Sequence, residues 1–555
     1  MNHLIFKKRV DSGSALIVSL VVMFMIAILG ISYLTYASNN LMRADRDNRR
    51  LTAFYLAEAG IEYKLAKIAA EVEDTGGAIS SSTASDNSTE WNPIIESLRS
   101  GATGAITVTA DSASSGVIVS TATYKGLTET IRVLIKLKGI GIWDNAIFAG
   151  VGQSGRGING NVDIRGSVHI LGEGDPFTDL NGNGVRNTAE AYSDSNGNGT
   201  YDSGEPFVDA DGNGSWSPTE PYRDDNYNGQ YDPPLTATDM ASDLGGKANI
   251  GNNYEGMDST WLSGNKIPPL DTQTINGEDV ETLEAELRVK HGKVNLSGTA
   301  RAGSPNTTGD TTKETLDGTY VTDGYGGTAG TANVYSDNGT TQGYDLGDKV
   351  SFPSLLEPYV DKKDSNKYYA TYEDYLIAKS MPVAETNIIT SSTSFTHTDG
   401  TNTISWSKTT GILTVTGIIR FPGDLDLSEK GTTIKFAGKG SLFVQGNVNV
   451  HGNIMPATTF PTVDSFGVIS KGDIELANDG GESQIQAMGA WFAQKRIASA
   501  KQSNFAGTYV ANYFDMGTNV PKIFQVPTLS SNLPPGMPGS DVRIVVSKVP
   551  SWRHL

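Results

Sequence analysis

Four stretches of this chain carry oxygen-bearing side chains at a spacing that can wrap a cation. Residues 179–235 repeat with a period of fifteen. The copies read DLNGNGVRNTAE from Asp179 to Glu190, DSNGNGTYDSGE from Asp194 to Glu205 and DADGNGSWSPTE from Asp209 to Glu220. Positions one, three and five hold Asp179, Asn181 and Asn183, then Asp194, Asn196 and Asn198, then Asp209, Asp211 and Asn213. Glycine stands at six, where a sharp turn brings early and late ligands onto one ion, and Glu at twelve. This is the ligand order of an EF-hand calcium loop. Position seven offers a backbone carbonyl (Val185, Thr200, Ser215), and position nine is Asn187, Asp202 or Ser217. Glu190, Glu205 and Glu220 are each expected to close their own loop with both oxygens. A fourth copy keeps Asp224, Asn226, Asn228, Gln230 and Asp232 but ends in Leu235. It should bind weakly or borrow an acid from elsewhere. Asn at several ligand places keeps the charge low, which sets an expected affinity of roughly 10⁻⁴–10⁻³ M for calcium.

Helices do not flank these loops. Three residues separate each Glu from the next Asp, and Pro206 and Pro221 follow two of the glutamates. The segment resembles tandem extracellular calcium repeats, in which ions replace a hydrophobic core. A merely acidic spacer would not repeat six positions in three loops. Between Glu173 and Pro234 there are thirteen acidic and two basic residues, over half of the chain's net charge of −19. That balance excludes a nucleic-acid binder, which needs clustered Lys and Arg. With no cysteine, disulfides are excluded, and a metal can hold exported loops together instead.

The elements that must display such loops begin with a helix. Residues 1–13 are short and polar and include Lys7, Lys8 and Arg9; from Ser14 to Ala37 no charge appears. Those residues rise roughly 36 Å as a helix, enough to span a bilayer core. The basic cluster keeps the N-terminus cytoplasmic. A cleaved secretory signal would be shorter and end in Ala-x-Ala; an ordinary single-pass anchor is the other alternative. Leu51, Phe54, Glu58, Ile61, Leu65, Ile68 and Val72 continue one helical stripe, until Gly76–Gly77 stop it.

A short leader ending in Gly13, then SALIVSLVVMFMIAILG, then AFYLAEAGIE resembles the N-terminal domain of PilX-type minor pilins over about the first seventy residues. The resemblance implies prepilin-peptidase cleavage between Gly13 and Ser14, methylation of the new amine, and packing of the helix against other pilins or minor pilins. It implies residence in the cytoplasmic membrane before assembly. Major pilins carry Glu at the fifth mature position, where it neutralises a neighbour's amine; here that position is Val18. An unpaired amine in hydrocarbon is costly, so the departure fits a minor pilin or pseudopilin at a filament tip better than a shaft unit.

The rest reads as strands. AITVTA, GVIVSTATYKG and TETIRVLIKLK predict a small antiparallel sheet. GNVDIRGSVHILG, GKVNLSG, GNVNVHGNI and KGDIELAND predict coils of a right-handed parallel β-helix, with a β-sandwich as alternative. Lys367–Ser380 predicts a short helix. The expected fold class is α+β: leader 1–13, helix 14–73 with 14–37 in the membrane, and a pilin-like β module 74–138. Then follow a first β-helix part 139–172, calcium repeats 173–235, a mixed insertion 236–404, a main β-helix part 405–530 and a tail 531–555.

Catalytic motifs are poor. GRGING at Gly155–Gly160 is a formal GxGxxG that leads into GNVDI rather than a helix, and GTTIKFAGKGS lacks phosphate-loop spacing. The six histidines show no ligand pair. The expectation is therefore not an enzyme but a displayed extracellular domain. It would serve adhesion to a host, surface or polysaccharide ligand, or assembly initiation. The alternative is a membrane-anchored β-helix enzyme acting on carbohydrate, with acids such as Asp424 and Asp426.

Overall fold

The structure, a computed structural model, describes residues 12–75, 88–110, 115–139, 141–153, 155–180, 184–210, 214–225, 229–234, 238–239, 248–275, 278–339, 350–384, 393–478, 483–540, 544–548 and 553–554. The chain forms two compact units, one comprising Met1–Gly139 with Arg543–Leu555 and the other Ile140–Val542. Residues 1–11 of the leader and Gly76–Gly77 lie outside the described residues.

In the first unit, helix α1 (Ser12–Thr75) is followed by α2 (Ser88–Leu98), β1 (Ala102–Ala110), β2 (Ser115–Tyr124) and β3 (Leu127–Gly139). The strands form an antiparallel meander. From Leu16 to Met42 the large apolar side chains of α1 are exposed, and one stretch of the helix is long and apolar enough to cross a membrane. Further along, Ala53, Leu56, Ala57, Ile61, Leu65 and Ile68 are buried with Trp91, Ile95, Ile106, Ile118 and Val133. The expected stripe is therefore offset. Leu51 is 52% exposed, and Phe54 and Glu58 are half-buried, whereas Ala53, Ala57 and Gly60 lie inside. Small residues win because the helix lies close to the sheet: a Cβ on Gly60 would fall 2.3 Å from Ser120 Oγ. Arg50 Nε donates to Glu129 Oε1 at 2.6 Å, tying the helix to β3. The strand Ile544–Lys548 pairs antiparallel with β3, and Arg553–His554 pairs with it too. The predicted 531–555 tail thus includes strands of this sheet. A reading from local pattern alone sees no partner some four hundred residues away.

The second unit is inserted between β3 and those returning strands. It is built on three parallel ladders. One runs through residues 417–421, 440–444, 467–470, 490–493, 509–511, 147–149, 168–170, 287–289 and 319–321. A second includes Thr433–Ala437, Asn453–Pro456, Lys522–Phe524, Asp163–Arg165 and Asn249–Gly251. The third stacks Leu425, Val448, Ile474, Ile497, Phe514 and Ile158 in register, each fully buried. Each such side chain contributes about 1.5–3 kcal/mol of burial. Alternation turns Asp426, Asn449, Glu475, Asp515 and Asn159 outward on the same strands.

The chain enters this stack in its middle. Ile147–Ala149 starts one half, which grows to Gly318–Val321. The other half starts at the far edge, where the antiparallel hairpin of Phe395–Thr398 and Thr403–Ser407 borders Ile412–Phe421. It winds back until Asn504–Asp515 pairs with Ile147–Ala149. Entry and exit therefore meet, with Trp143 Nε1 donating to Pro538 O at 2.8 Å. Residues 286–289, 301–302 and 318–321 add to the ladders, so 236–404 is not only an insertion. The short helix spans Tyr372–Lys379, and Lys367–Tyr369 before it is a strand.

Candidate metal centre

The repeat block follows the first four strands of the half-stack that starts at Ile147 (Ile147–Ala149, Ile158–Asn159, Asp163–Arg165 and Val168–Ile170) and precedes the rest of it. In every copy the first-position aspartate accepts the N–H of the sixth-position glycine: Gly184 to Asp179 (2.7 Å), Gly199 to Asp194 (2.8 Å), Gly214 to Asp209 (2.9 Å) and Gly229 to Asp224 (2.7 Å). The four glycines have φ between 75° and 80°, the left-handed turn that folds each loop back on itself. The second copy is described throughout. Asp202 Oδ2 accepts the amide N–H groups of Asn196 (2.6 Å) and Asn198 (2.7 Å), while Asn198 Oδ1 accepts from Thr200. The Gly199 N–H is the main cause holding the Asp194 carboxyl below the usual carboxylate range. Asn181, Asn183, Asp211, Asn213, Asn226 and Asn228 lie outside the described residues.

Closure differs from the expectation in the first and third loops, whereas the second closes on its own Glu and the fourth borrows an acid from elsewhere. In each, one carboxylate accepts the N–H groups of loop positions two and nine. Glu205 does so for its own loop, from Ser195 (2.7 Å) and Asp202 (3.0 Å). Glu220 instead closes the first loop, accepting from Leu180 and Asn187, both at 2.8 Å. Glu190 closes the third, from Ala210 (2.7 Å) and Ser217 (3.0 Å). The fourth is closed by Asp175, from Asp225 and Asp232, both at 2.9 Å. The reason is strand pairing. Glu190 N donates to Ser217 O and Glu220 N to Asn187 O, which lays the first and third loops antiparallel so that each receives the other's acid. Asp175 was missed as a ligand candidate, although DPFTD at 175–179 matches EAYSD, EPFVD and EPYRD in the repeat register. Burial pushes its carboxyl up to about 6.

Aromatic rings fill the space between loops. Tyr201 stacks on Trp216 at 4.6 Å with Tyr192 edge-on, and the Arg186 guanidinium lies 4.5 Å from Tyr222 and 4.8 Å from Tyr231. The block thus carries a half-buried aromatic cluster besides its polar loops. Its donors are carboxylate, amide, hydroxyl and carbonyl oxygens, a set for a hard cation such as calcium rather than zinc or copper. Among the described residues, no three His, Cys, Asp or Glu side chains gather as a metal site. The third and fifth ligand places, mostly Asn, are not of those types or lie outside the description.

No protein-family model and no curated protein matches this chain. Among solved structures, it is similar to the competence-associated pilin ComZ from Thermus thermophilus. The two are 17% identical over 91% of this chain and 96% of that one, with a TM-score of 0.47.

A second cluster lies on the third ladder's outer face. Asp424, Asn447, Asn449, His451, Asp473, Glu475 and Asn478 line a groove of about 350 Å³. Its acids are engaged within the stack: Asp424 accepts Asn447 N (2.7 Å), Asp426 accepts Asn449 Nδ2 (2.9 Å), and Arg496 Nη2 donates to Asp473 (3.1 Å) and Glu475 (2.6 Å). GRGING contains strand Ile158–Asn159 and leads into strand Asp163–Arg165, and GTTIKFAGKGS lies on Thr433–Ala437 and Lys439–Val444, so neither opens a helix that could cradle phosphate.

Proposed function

We propose that this chain is a minor pilin of a type IV pilus-like filament, PilX-type at its N-terminus, displaying a calcium-stabilised parallel β-helix at or near the filament tip. The observation that carries the reading is the division of α1. Its large apolar side chains are exposed from Leu16 to Met42, and one face of it is covered by the chain's own sheet from Ala53 to Ile68. The bare part needs lipid or the helices of other subunits as its solvent. Val18 leaves a neighbour's amine without a counter-charge, and the inserted unit of about four hundred residues exceeds a typical domain of ~100–150, which crowds a repeating shaft. Both constraints are relieved at a tip. There the displayed unit can meet a surface or polysaccharide, or start assembly.

Calcium fits the loop oxygens. The Asp at position one and the closing acid of each loop would hold it, and the ion would neutralise the segment's charge and tie its turns together. The chain's own residues orient the acids through the paired N–H groups at positions two and nine. The groove beside Asp424 and Glu475 favours a second reading, an enzyme acting on carbohydrate. Polysaccharide cleavage lost in Glu475→Gln would decide for it.

Gold labelling against residues 405–530 on intact filaments tests tip display. The expected pattern is one label or a few at filament ends, unchanged by Val18→Glu. Label spaced along shafts would refute it.

A further inference from the structure

The loops are also joined at a place that holds no ligand. Position eight stands between positions seven and nine, both ligand places, and carries Arg186, Tyr201, Trp216 and Tyr231 in the four copies. All four side chains are half-buried, and they meet in pairs. Tyr201 lies on Trp216 with ring centroids 4.6 Å apart and planes 16° from parallel, so the second loop touches the third. The Arg186 guanidinium lies 4.8 Å from the Tyr231 ring, so the first touches the fourth. Around the ring pair, Tyr192 stands edge-on to Tyr201 at 5.7 Å and to Trp216 at 5.9 Å, and Phe207 meets Tyr201 at 5.9 Å. Trp216 Nε1 donates to the Glu190 carbonyl at 2.8 Å. The Glu190 carboxylate in turn accepts the Ala210 and Ser217 N–H groups. The residue that Trp216 grips is therefore the one that closes the third loop.

We propose that Tyr201 and Trp216 are positioning residues that couple two loops: a divalent cation held by Asp194, Asn196, Asn198, Thr200, Asp202 and Glu205 also holds the third loop closed on Glu190. The proposal rests on the calcium reading of the loops. A cation drawn to the Thr200 carbonyl and to Asp202 fixes the backbone on both sides of Tyr201, and with it the ring. The stack then restricts where Trp216 stands, and its Nε1–H keeps Glu190 in place, with the carboxylate on the Ala210 and Ser217 N–H groups. A stacked aromatic pair contributes enough to move such an equilibrium about three- to tenfold. The coupling is reciprocal, because each loop's order favours the same ring contact.

The test is hydrogen exchange on the full chain in detergent, titrated with calcium chloride to millimolar concentration. Glu205 closes only the second loop. Glu205→Gln is nevertheless expected to raise the calcium needed to protect 209–218 about threefold, besides raising that for 194–205 about tenfold. In a Tyr201→Ala background the same change should act on 194–205 alone. Tyr201→Phe keeps the ring and should preserve the coupling of the natural protein. A Glu205→Gln effect confined to 194–205 in the otherwise natural chain would overturn the coupling while leaving the calcium reading standing. Coupling that persists in Tyr201→Ala, or is lost in Tyr201→Phe, would overturn the ring pair as its carrier. Absence of calcium-dependent protection in both segments would overturn the calcium reading as well.

Discussion

The Glu220 carboxylate accepts the Leu180 and Asn187 N–H groups, so removing one of its oxygens acts on the first loop, forty residues upstream, and not on the loop it terminates. Glu220→Gln is expected to weaken calcium at Asp179–Asn187 about tenfold, equivalent to ~1.4 kcal/mol. In calcium, amide exchange should rise in residues 179–188 and stay unchanged in 209–218. Glu190→Gln should give the reverse pattern, because that acid holds Ala210 and Ser217. Loosening of 209–218 in Glu220→Gln would contradict the exchanged closure. The loop residues themselves were legible, since Asp, Asn and Gly recur at fixed places. Their partners were not, because a twelve-residue motif assumes that each loop closes locally, and antiparallel pairing of the first and third loops overrides that. Asp175 could have been found: it stands four residues before Asp179, as Glu190, Glu205 and Glu220 stand before the next three aspartates.

Among the elements, α1 shows most clearly how far pattern reaches. Its length, its uncharged run and its amphipathic continuation follow from the side chains, and the structure has one helix over Ser12–Thr75. The buried face does not, because a hydrophobic stripe is drawn through large residues while close approach selects small ones. Gly60→Val should therefore be the damaging change, costing about 1–3 kcal/mol by overpacking against Ser120 and Trp91. Leu51→Ala, on an exposed side chain, should stay within about 0.5 kcal/mol. Thermal unfolding of the two variants in detergent checks the contrast, and a larger loss in Leu51→Ala would show that the helix packs on the other face. Helix α2, STEWNPIIESL, was not anticipated. It is short, and Trp91 and Ile95 reveal an inward face only once the sheet they cover is known.

At the scale of the molecule, a membrane-length helix followed by a large β-rich region was readable from composition and period. The closure of the first unit was not. Ile544–Lys548 completes a sheet begun at Ala102, and nothing in five residues of strand pattern names a partner so far away. The same holds for the stack, whose halves join at Asn504–Asp515 and Ile147–Ala149 although the chain reaches them from opposite ends. This plan brings the entry and exit of the second unit together, and in sequence that unit is inserted between β3 and the strands that return to it. A minor-pilin role requires α1 to be a processed pilin helix rather than a plain anchor. Mass spectrometry of the N-terminal peptide from membrane-extracted protein tests this most directly. The account predicts cleavage after Gly13 and a methylated amine on Ser14. An intact Met1, or a terminus beyond Ala37, would contradict it.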